Sequence, residues 1–346
     1  MQTQIISTGF EDDAKDAVRQ AADLLRAGEI VALPTETVYG LAADAFNAAA
    51  VAKVFEAKER PSFDPLIVHL PKPSALEEVA DLPEEIAGPV KKILNKFWPG
   101  PLTIILPKKD TIPDIVTSGQ PTVAVRHSKD PVFKRVIKEV GGPLAAPSAN
   151  RFGSISPTSA AAVEEELGGR IPLIVDGGAC SEGLESTIIR VEAAEPKSRI
   201  FILRAGPITK EDLREFGKVE FAPRLSPDDG QPEAPGQLAS HYSPRTPLRL
   251  LESPNDFKPE DGKRYALLSY RNQPKDGYLE LTEYEKIAVL SPGSGKLPEA
   301  AVRFFFLLRE LDESGVDEII AEPIPNRGLG VAIRDRLSRA AYSTVE

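Results

Sequence analysis

Four segments of this 346-residue chain gather side chains suited to handling anions. In PTETVYGLAADAFN (34–47) an apolar run ends in a hydroxyl-rich turn, where Thr35, Thr37 and Tyr39 supply hydroxyls and Gly40 permits close approach of a ligand or an unusual turn. A threonine-rich turn is by itself more often a cap than a site. In AKERPSFDPLIVHL (57–70), Lys58 and Arg60 present a compact ammonium and a forked guanidinium at a helix end. That spacing can clamp a triphosphate or steady a pentavalent phosphorus transition state, although cations also suit a helix C-terminus for its dipole alone. His69, inside an apolar strand, reads as a hydrogen-bonded core histidine.

The third group is PTVAVRHS (121–128) with APSANRFGSISPT (146–158). Arg126 leaves a strand where it can grip a carboxylate in bidentate fashion, and Ser148, Asn150, Ser154 and Ser156 surround Gly153 with donors suited to phosphate oxygens. The fourth is DGGACSEGLESTIIR (176–190) with FILRAGPI (201–208). There the Gly177–Gly178 pair forms a nest or a tight turn, Ser186 and Thr187 open a strand, and Arg204 closes one. A buried arginine at a strand end is costly without a partner anion. Three scattered histidines (His69, His127, His241) and the single Cys180 offer no metal-ligand spacing, so no protein-held metal is expected. A GxSxG nucleophile motif is absent. SPGSGKL (291–297) fails as a P-loop because Leu290 stands where the first glycine belongs. Trp98 and Phe304, Phe305 and Phe306 read as core.

Positioning these groups requires a scaffold of alternating helices and strands. Helical patterns at 12–28, 47–59, 88–98, 131–140 and 158–167 alternate with strands at 30–35, 65–70, 101–107, 121–127, 172–176, 186–192 and 199–204. The expectation is a mixed α/β domain, a twisted sheet with helices around it. Residues 207–246, rich in proline, read as a linker that is either a spacer or a site element. Beyond it, strands at 248–252, 265–270, 286–291 and 318–323 and a helix at 298–313 predict a smaller Rossmann-like α/β domain over 247–346. A net charge of -10 argues against a nonspecific nucleic-acid binder. Charge is uneven, though: residues 1–44 carry 3 basic and 8 acidic side chains, and 45–138 carry 14 and 11, so a local basic face can exist. With no cationic apolar leader and no long apolar run, the chain is expected in the cytoplasm and not at a membrane.

In order, PTETVYGL, KERPSFDPLIVHL, PTVAVRHS, APSAN, ESTII and ILRAG resemble the signature of the YrdC-like family. PGQLASHYSPRTPL and the terminal GLGVAIRDRLSRAA (328–341) are similar to its longer, two-domain threonylcarbamoyl-AMP synthases. The resemblance implies a YrdC-like catalytic domain at 1–206 with a concave basic cavity. It implies that L-threonine, bicarbonate (or carbon dioxide) and ATP give threonylcarbamoyl-AMP and pyrophosphate, with magnesium arriving on ATP. The adenylate would pass to downstream tRNA-threonylcarbamoyl transferase proteins.

Mapped by motif, Thr37, His69, Arg126, Ala146 and Ser186 would surround threonine, with Arg126 facing its carboxylate. Arg60, Asp64, Thr122, Ser148, Ser156, Arg204 and Tyr242 would surround ATP, with Lys58 beside the phosphates. Lys58 and Arg60 are the expected catalytic pair, placed at the cavity and not in a core, so that alanine at either would abolish turnover and spare the fold. No nucleophile or strong general base appears, which implies catalysis by positioning and electrostatics. Residues 231–246 would close over the cavity. Two departures stand out: Asp64 replaces a frequent Asn, and GQLASHY replaces a more basic GMKYRHY. Competing readings are a carbamoyl-adenylate former like that of hydrogenase-maturation carbamoyltransferases, which carry cysteine-rich zinc segments, and a noncatalytic module binding double-stranded RNA or tRNA.

Overall fold

The computed structural model describes residues 2–223, 232–237 and 242–342. The chain divides into two compact units. The first comprises Met1–Phe152, Pro157–Ser181 and Glu185–Leu238; the second comprises Gly153–Ser156, Glu182–Leu184 and Ala239–Glu346.

The first unit is built on one mixed sheet. Its strands in chain order are β1 (Gln4–Ser7), β2 (Val31–Leu33), β3 (Gly40–Asp44), β4 (Ile67–His69), β5 (Leu102–Pro107), β6 (Thr122–Arg126), β7 (Leu144–Ala145), β8 (Leu173–Asp176), β9 (Thr187–Glu192), β10 (Arg199–Arg204) and β11 (Lys218–Phe221). Across the sheet they run β1-β8-β2-β3-β7-β4-β6-β5-β9-β10-β11. Parallel pairs such as β4/β6 and β5/β9 alternate with antiparallel pairs such as β4/β7 and β5/β6. Most central strand residues are buried, which explains their near-continuous apolar runs.

Helices flank the sheet for legible reasons. Glu11–Arg26 starts with three acidic residues, ends in Arg26 and buries Ala14, Ala17, Val18, Ala21 and Leu25 along one stripe. Ala48–Lys58 is capped by Asn47, whose side chain accepts the N–H groups of Ala49 and Ala50, each at 3.1 Å. It ends where Glu59 turns left-handed at φ 53°.

Several expectations change. The polar turn at 34–39 leads into strand β3, which is missing from the strands expected above, because GLAA is apolar enough to be buried on both faces. The helix expected at 88–98 begins earlier, at Glu84 after Pro83, and accommodates Pro89 in its second turn. Residues 207–223, expected to be linker, instead supply a helical turn (Lys210–Leu213) with a Thr209 capping box and the edge strand β11. The alternation KVEF suits an edge that buries Val219 while its charged neighbours stay near water.

The second unit has a four-stranded parallel sheet, β12 (Leu248–Leu250), β13 (Tyr265–Ser269), β14 (Tyr284–Val289) and β15 (Glu318–Ala321), ordered β12-β15-β13-β14. Helices Leu297–Asp312 and Leu329–Tyr342 belong to it. Phe304 and Phe305 are core as expected, whereas Phe306 is exposed, because three consecutive helical positions cannot all face one stripe. Among the described residues, no helix is long and apolar enough to cross a membrane.

Candidate active site

In the first unit, strand register assembles a polar row that the sequence scatters. His69 on β4 lies opposite Arg126 on β6, and Arg126 lies opposite Thr103 on β5, so the three stand abreast on neighbouring strands. The Thr103 hydroxyl shares a 2.8 Å hydrogen bond with that of Ser186, and Arg204 Nη2 donates to the Ser186 hydroxyl at 3.0 Å. Arg204 Nε adds a bond to the Ser186 carbonyl at 3.1 Å.

The PTETVYG turn closes the other end of the row. Arg126 Nη2 pairs with Glu36 Oε1 at 2.7 Å, and Nη1 donates to the Thr37 hydroxyl at 2.9 Å. The Ser128 hydroxyl donates to Glu36 Oε2, and the Thr35 hydroxyl lies 2.9 Å from that of Thr37. Burial would raise the Glu36 pKa, but Arg126 and Ser128 outweigh it and hold the carboxyl at about 2. Burial, aided by Arg126, pushes His69 down to about 3, so its ring is neutral. His69 is buried as expected, but its Nδ1 has no hydrogen-bond partner. Ala146 holds the neighbouring backbone, its N–H donating to the Ile67 carbonyl at 2.9 Å.

A second cluster gathers around Asp64. Arg60 Nη2 meets Asp64 Oδ2 at 2.8 Å, while Arg60 also donates to the carbonyls of Asp64 and Pro65 at 3.0 and 2.8 Å. Burial raises the Asp64 pKa, and Arg60, Lys58 and Arg204 oppose it; three cations thus act on one carboxylate. Lys58 Nζ donates to the carbonyls of Ser148, at 2.6 Å, and Asn150. Burial, then the charge of Arg60, drives the Lys58 pKa well down. The expectation that Lys58 and Arg60 stand clear of a core is corrected: they are 1% and 8% exposed. Their ammonium and guanidinium are anchored on backbone carbonyls, so replacing them acts on the fold as well. Thr122 and Ser148 are half-buried nearby in chain terms, Thr122 at the start of β6 and Ser148 bridged to Gly40.

Two members of the expected ATP set fall in the second unit. Ser156 is buried there, and Tyr242, at φ 66°, packs its ring 5.6 Å from Phe305 with the Arg336 guanidinium 5.5 Å from its centroid. The linker divides likewise. Residues 232–237 join the first unit: Glu233 pairs with Arg190 at 2.6 Å, Ala234 packs with Ile67, Ile188 and Leu203, and the Pro235 carbonyl lies 3.4 Å from Arg204 Nη1. Residues 224–231 and 238–241, with His241, lie outside the described residues.

The sequence reading missed Glu36, Ser128 and Thr103. Each carries a faint signal: an acid between two threonines, a hydroxyl two residues after Arg126, and a lone polar residue in the run LTIIL. Gly206 was also passed over. A Cβ there would lie 2.5 Å from both the Glu185 carbonyl oxygen and the Thr187 nitrogen. Gly206→Ala should therefore displace Ser186 and lower turnover by about 100-fold with little change in helix and strand content. Steady-state assays beside circular dichroism check this; unchanged kcat/KM would refute it.

Among the described residues, no group of three or more acidic, histidine or cysteine side chains could hold a metal ion. Residues 23–206 match the Sua5, YciO and YrdC family, described as telomere recombination, and residues 208–342 match the threonylcarbamoyl-AMP synthase C-terminal domain. The chain is 42% identical over 338 residues to the threonylcarbamoyl-AMP synthase of Bacillus subtilis, covering 95% of this chain and 94% of that protein. A double-alanine variant of Pyrococcus abyssi Sua5 superposes with a TM-score of 0.86 at 34% identity, covering 99% of this chain and 97% of that one. The same archaeal protein complexed with L-threonine gives 0.84 at 34% identity, covering 99% and 98%.

Proposed function

We propose that this chain, which belongs to the threonylcarbamoyl-AMP synthase family, makes threonylcarbamoyl-AMP and pyrophosphate from L-threonine, bicarbonate and ATP, in the cytoplasm, for tRNA modification. The observation that carries this reading is the joining of two sites through Ser186 and Arg204: the Arg126 row on one side and the cluster of Lys58, Arg60, Asp64 and Arg204 on the other.

Threonine's carboxylate would dock on the Nη1 and Nη2 hydrogens of Arg126 that remain beside Glu36 and Thr37. Bicarbonate would lose hydroxide, which leaves with a proton as water, and the carbon dioxide so formed would bond to threonine's amine, which loses a proton and becomes a carbamate. A carbamate oxygen would then bond to the α-phosphorus of ATP as the bond to the β-phosphate oxygen breaks, releasing pyrophosphate. Two anions must approach each other, so the excess of cations over the Asp64 carboxylate supplies the needed field. Asp64 is engaged with Arg60, and magnesium would be held by the triphosphate, not by a protein cage. Residues 232–237, tied to Arg204 through Pro235, are suited to excluding water from the carbamate. The adenylate would be consumed by a tRNA threonylcarbamoyl transferase.

Pyrophosphate release with ATP and magnesium should fall to background when either threonine or bicarbonate is omitted. Release indifferent to both omissions would sink the proposal.

A further inference from the structure

The proposed reaction leaves unused a cavity in the second unit. The chain passes from β12 to β13, adds β14 at the edge, and returns through helix Leu297–Asp312 to insert β15 between β12 and β13. The helix that follows β15, Leu329–Tyr342, packs on β12 and on helix Leu297–Asp312, while β13 leads to β14, so the connections leaving β13 and β15 diverge along the sheet. Ligands of open parallel sheets settle beyond the carboxyl ends of such a strand pair. A cavity of about 580 Å³ lies there, lined by Tyr270 and Arg271 after β13, Ser294 and Gly295 after β14, and Glu322 and Arg327 after β15.

Its polar groups want a ligand. Glu322 is 3% exposed; Oε2 accepts the Tyr270 N–H at 2.7 Å, while Oε1 is buried without a partner. The Ser269 hydroxyl hydrogen-bonds this carboxylate and opposes the burial that raises its pKa, leaving Oε1 as the oxygen without a partner. Arg271 pairs with Asp276 at 3.0 Å through Nη2, and its Nε is buried without a partner. Arg327 stands exposed at the rim. Arg334, the third arginine of the lining, pairs with Glu252 at 2.6 Å. The glycine turn 291–295 precedes the amino end of a 16-residue helix, with positive φ at Gly293 (73°) and Gly295 (61°). It lacks P-loop spacing, yet it brings a glycine backbone beside two guanidinium groups, an arrangement suited to phosphate oxygens. An unpartnered buried carboxylate oxygen across the cavity calls for a hydroxyl donor. The volume suits a nucleotide, whereas a free amino acid would leave much of it to water.

We propose that this cavity binds a nucleoside phosphate, with phosphate oxygens on Arg271 and Arg327 beside the Ser294–Gly295 turn and ribose hydroxyls donating to Glu322 Oε1. The site is independent of the reaction proposed for the first unit. Titration of the full chain with ADP, which cannot release pyrophosphate by that reaction, should reveal two sites. Arg327→Ala and Glu322→Gln should each weaken one of them about tenfold or more at unchanged melting temperature, since Arg327 is at the rim and glutamine retains an acceptor for the Tyr270 N–H. Arg60→Ala should weaken only the other. Ribose 5-phosphate should compete for the second-unit site better than inorganic phosphate does; equal competition would overturn the ribose contact and with it the proposal. A single site insensitive to Arg327→Ala and Glu322→Gln also overturns it. A single site lost in both variants and kept in Arg60→Ala supports it and removes the nucleotide from the first unit instead.

Discussion

Lys58→Ala is expected to lower threonine-dependent pyrophosphate release by about 100-fold or more, the scale seen when one preorganised donor is removed from a transition state. The buried ammonium holds the carbonyls of Ser148 and Asn150, and it lies close enough to Asp64 and Arg60 for each to perturb its protonation. Its own pKa is driven down by burial and by Arg60, and an arriving triphosphate, by adding negative charge, would favour its charged form. Alanine removes this field and also leaves two backbone acceptors without their donor. Loss of such a donor costs about 1–3 kcal/mol, which lowers the melting temperature by several degrees without unfolding the chain. Lys58→Met separates the two effects, because methionine fills the space of the stem without a charge. It should melt closer to wild type than alanine does and be equally inactive. Folded Lys58→Met protein turning over within a factor of about ten of wild type would remove Lys58 from the mechanism.

The structure bears on how such residues could be read beforehand. Local chemistry was legible where one residue announces its own role. Arg126 ends an apolar strand, and the runs PLIVHL and LTIILP became buried strands. What the chain does not display is partnership across the sheet. Glu36 and Arg126 are separated by 89 intervening residues (37–125), and they meet only because β7, a two-residue strand from far along the chain, inserts between β3 and β4. No local periodicity specifies that insertion. The meeting of Thr103 with Ser186 likewise follows from parallel pairing of β5 with β9, a non-local choice set by packing. The linker was misjudged at its start for a different reason. Proline content marks an irregular chain, but it does not tell where an edge strand stops, and KVEF at 218–221 needs only one buried side, which four residues supply.

The Arg126–Glu36 pair makes the second large prediction, because binding and stability should separate there. Arg126→Ala should raise the KM for threonine about 100-fold, the equivalent of one charge-assisted pair, and leave the KM for ATP near wild type. It also strands the Glu36 carboxylate in a buried site, at a cost of about 3–5 kcal/mol at neutral pH. The pH dependence then changes sign. In the wild type the Glu36 pKa is depressed from 4.5 to about 2, so the pair contributes stability that is present above pH 4.5 and lost as pH falls through about 2. Without Arg126, burial is left to raise the same pKa, so protonation becomes favourable in the folded state and the variant's deficit should shrink as pH drops from 7 toward 5. Urea unfolding at a series of pH values measures both trends. Arg126→Ala combined with Glu36→Gln removes the stranded charge and should recover most of the lost stability while threonine binding stays weak. Recovery of threonine binding in that double variant would mean that Arg126 serves the fold and not the substrate; a deficit in Arg126→Ala that grows on acidification would mean that Glu36 is not the carboxylate it leaves behind.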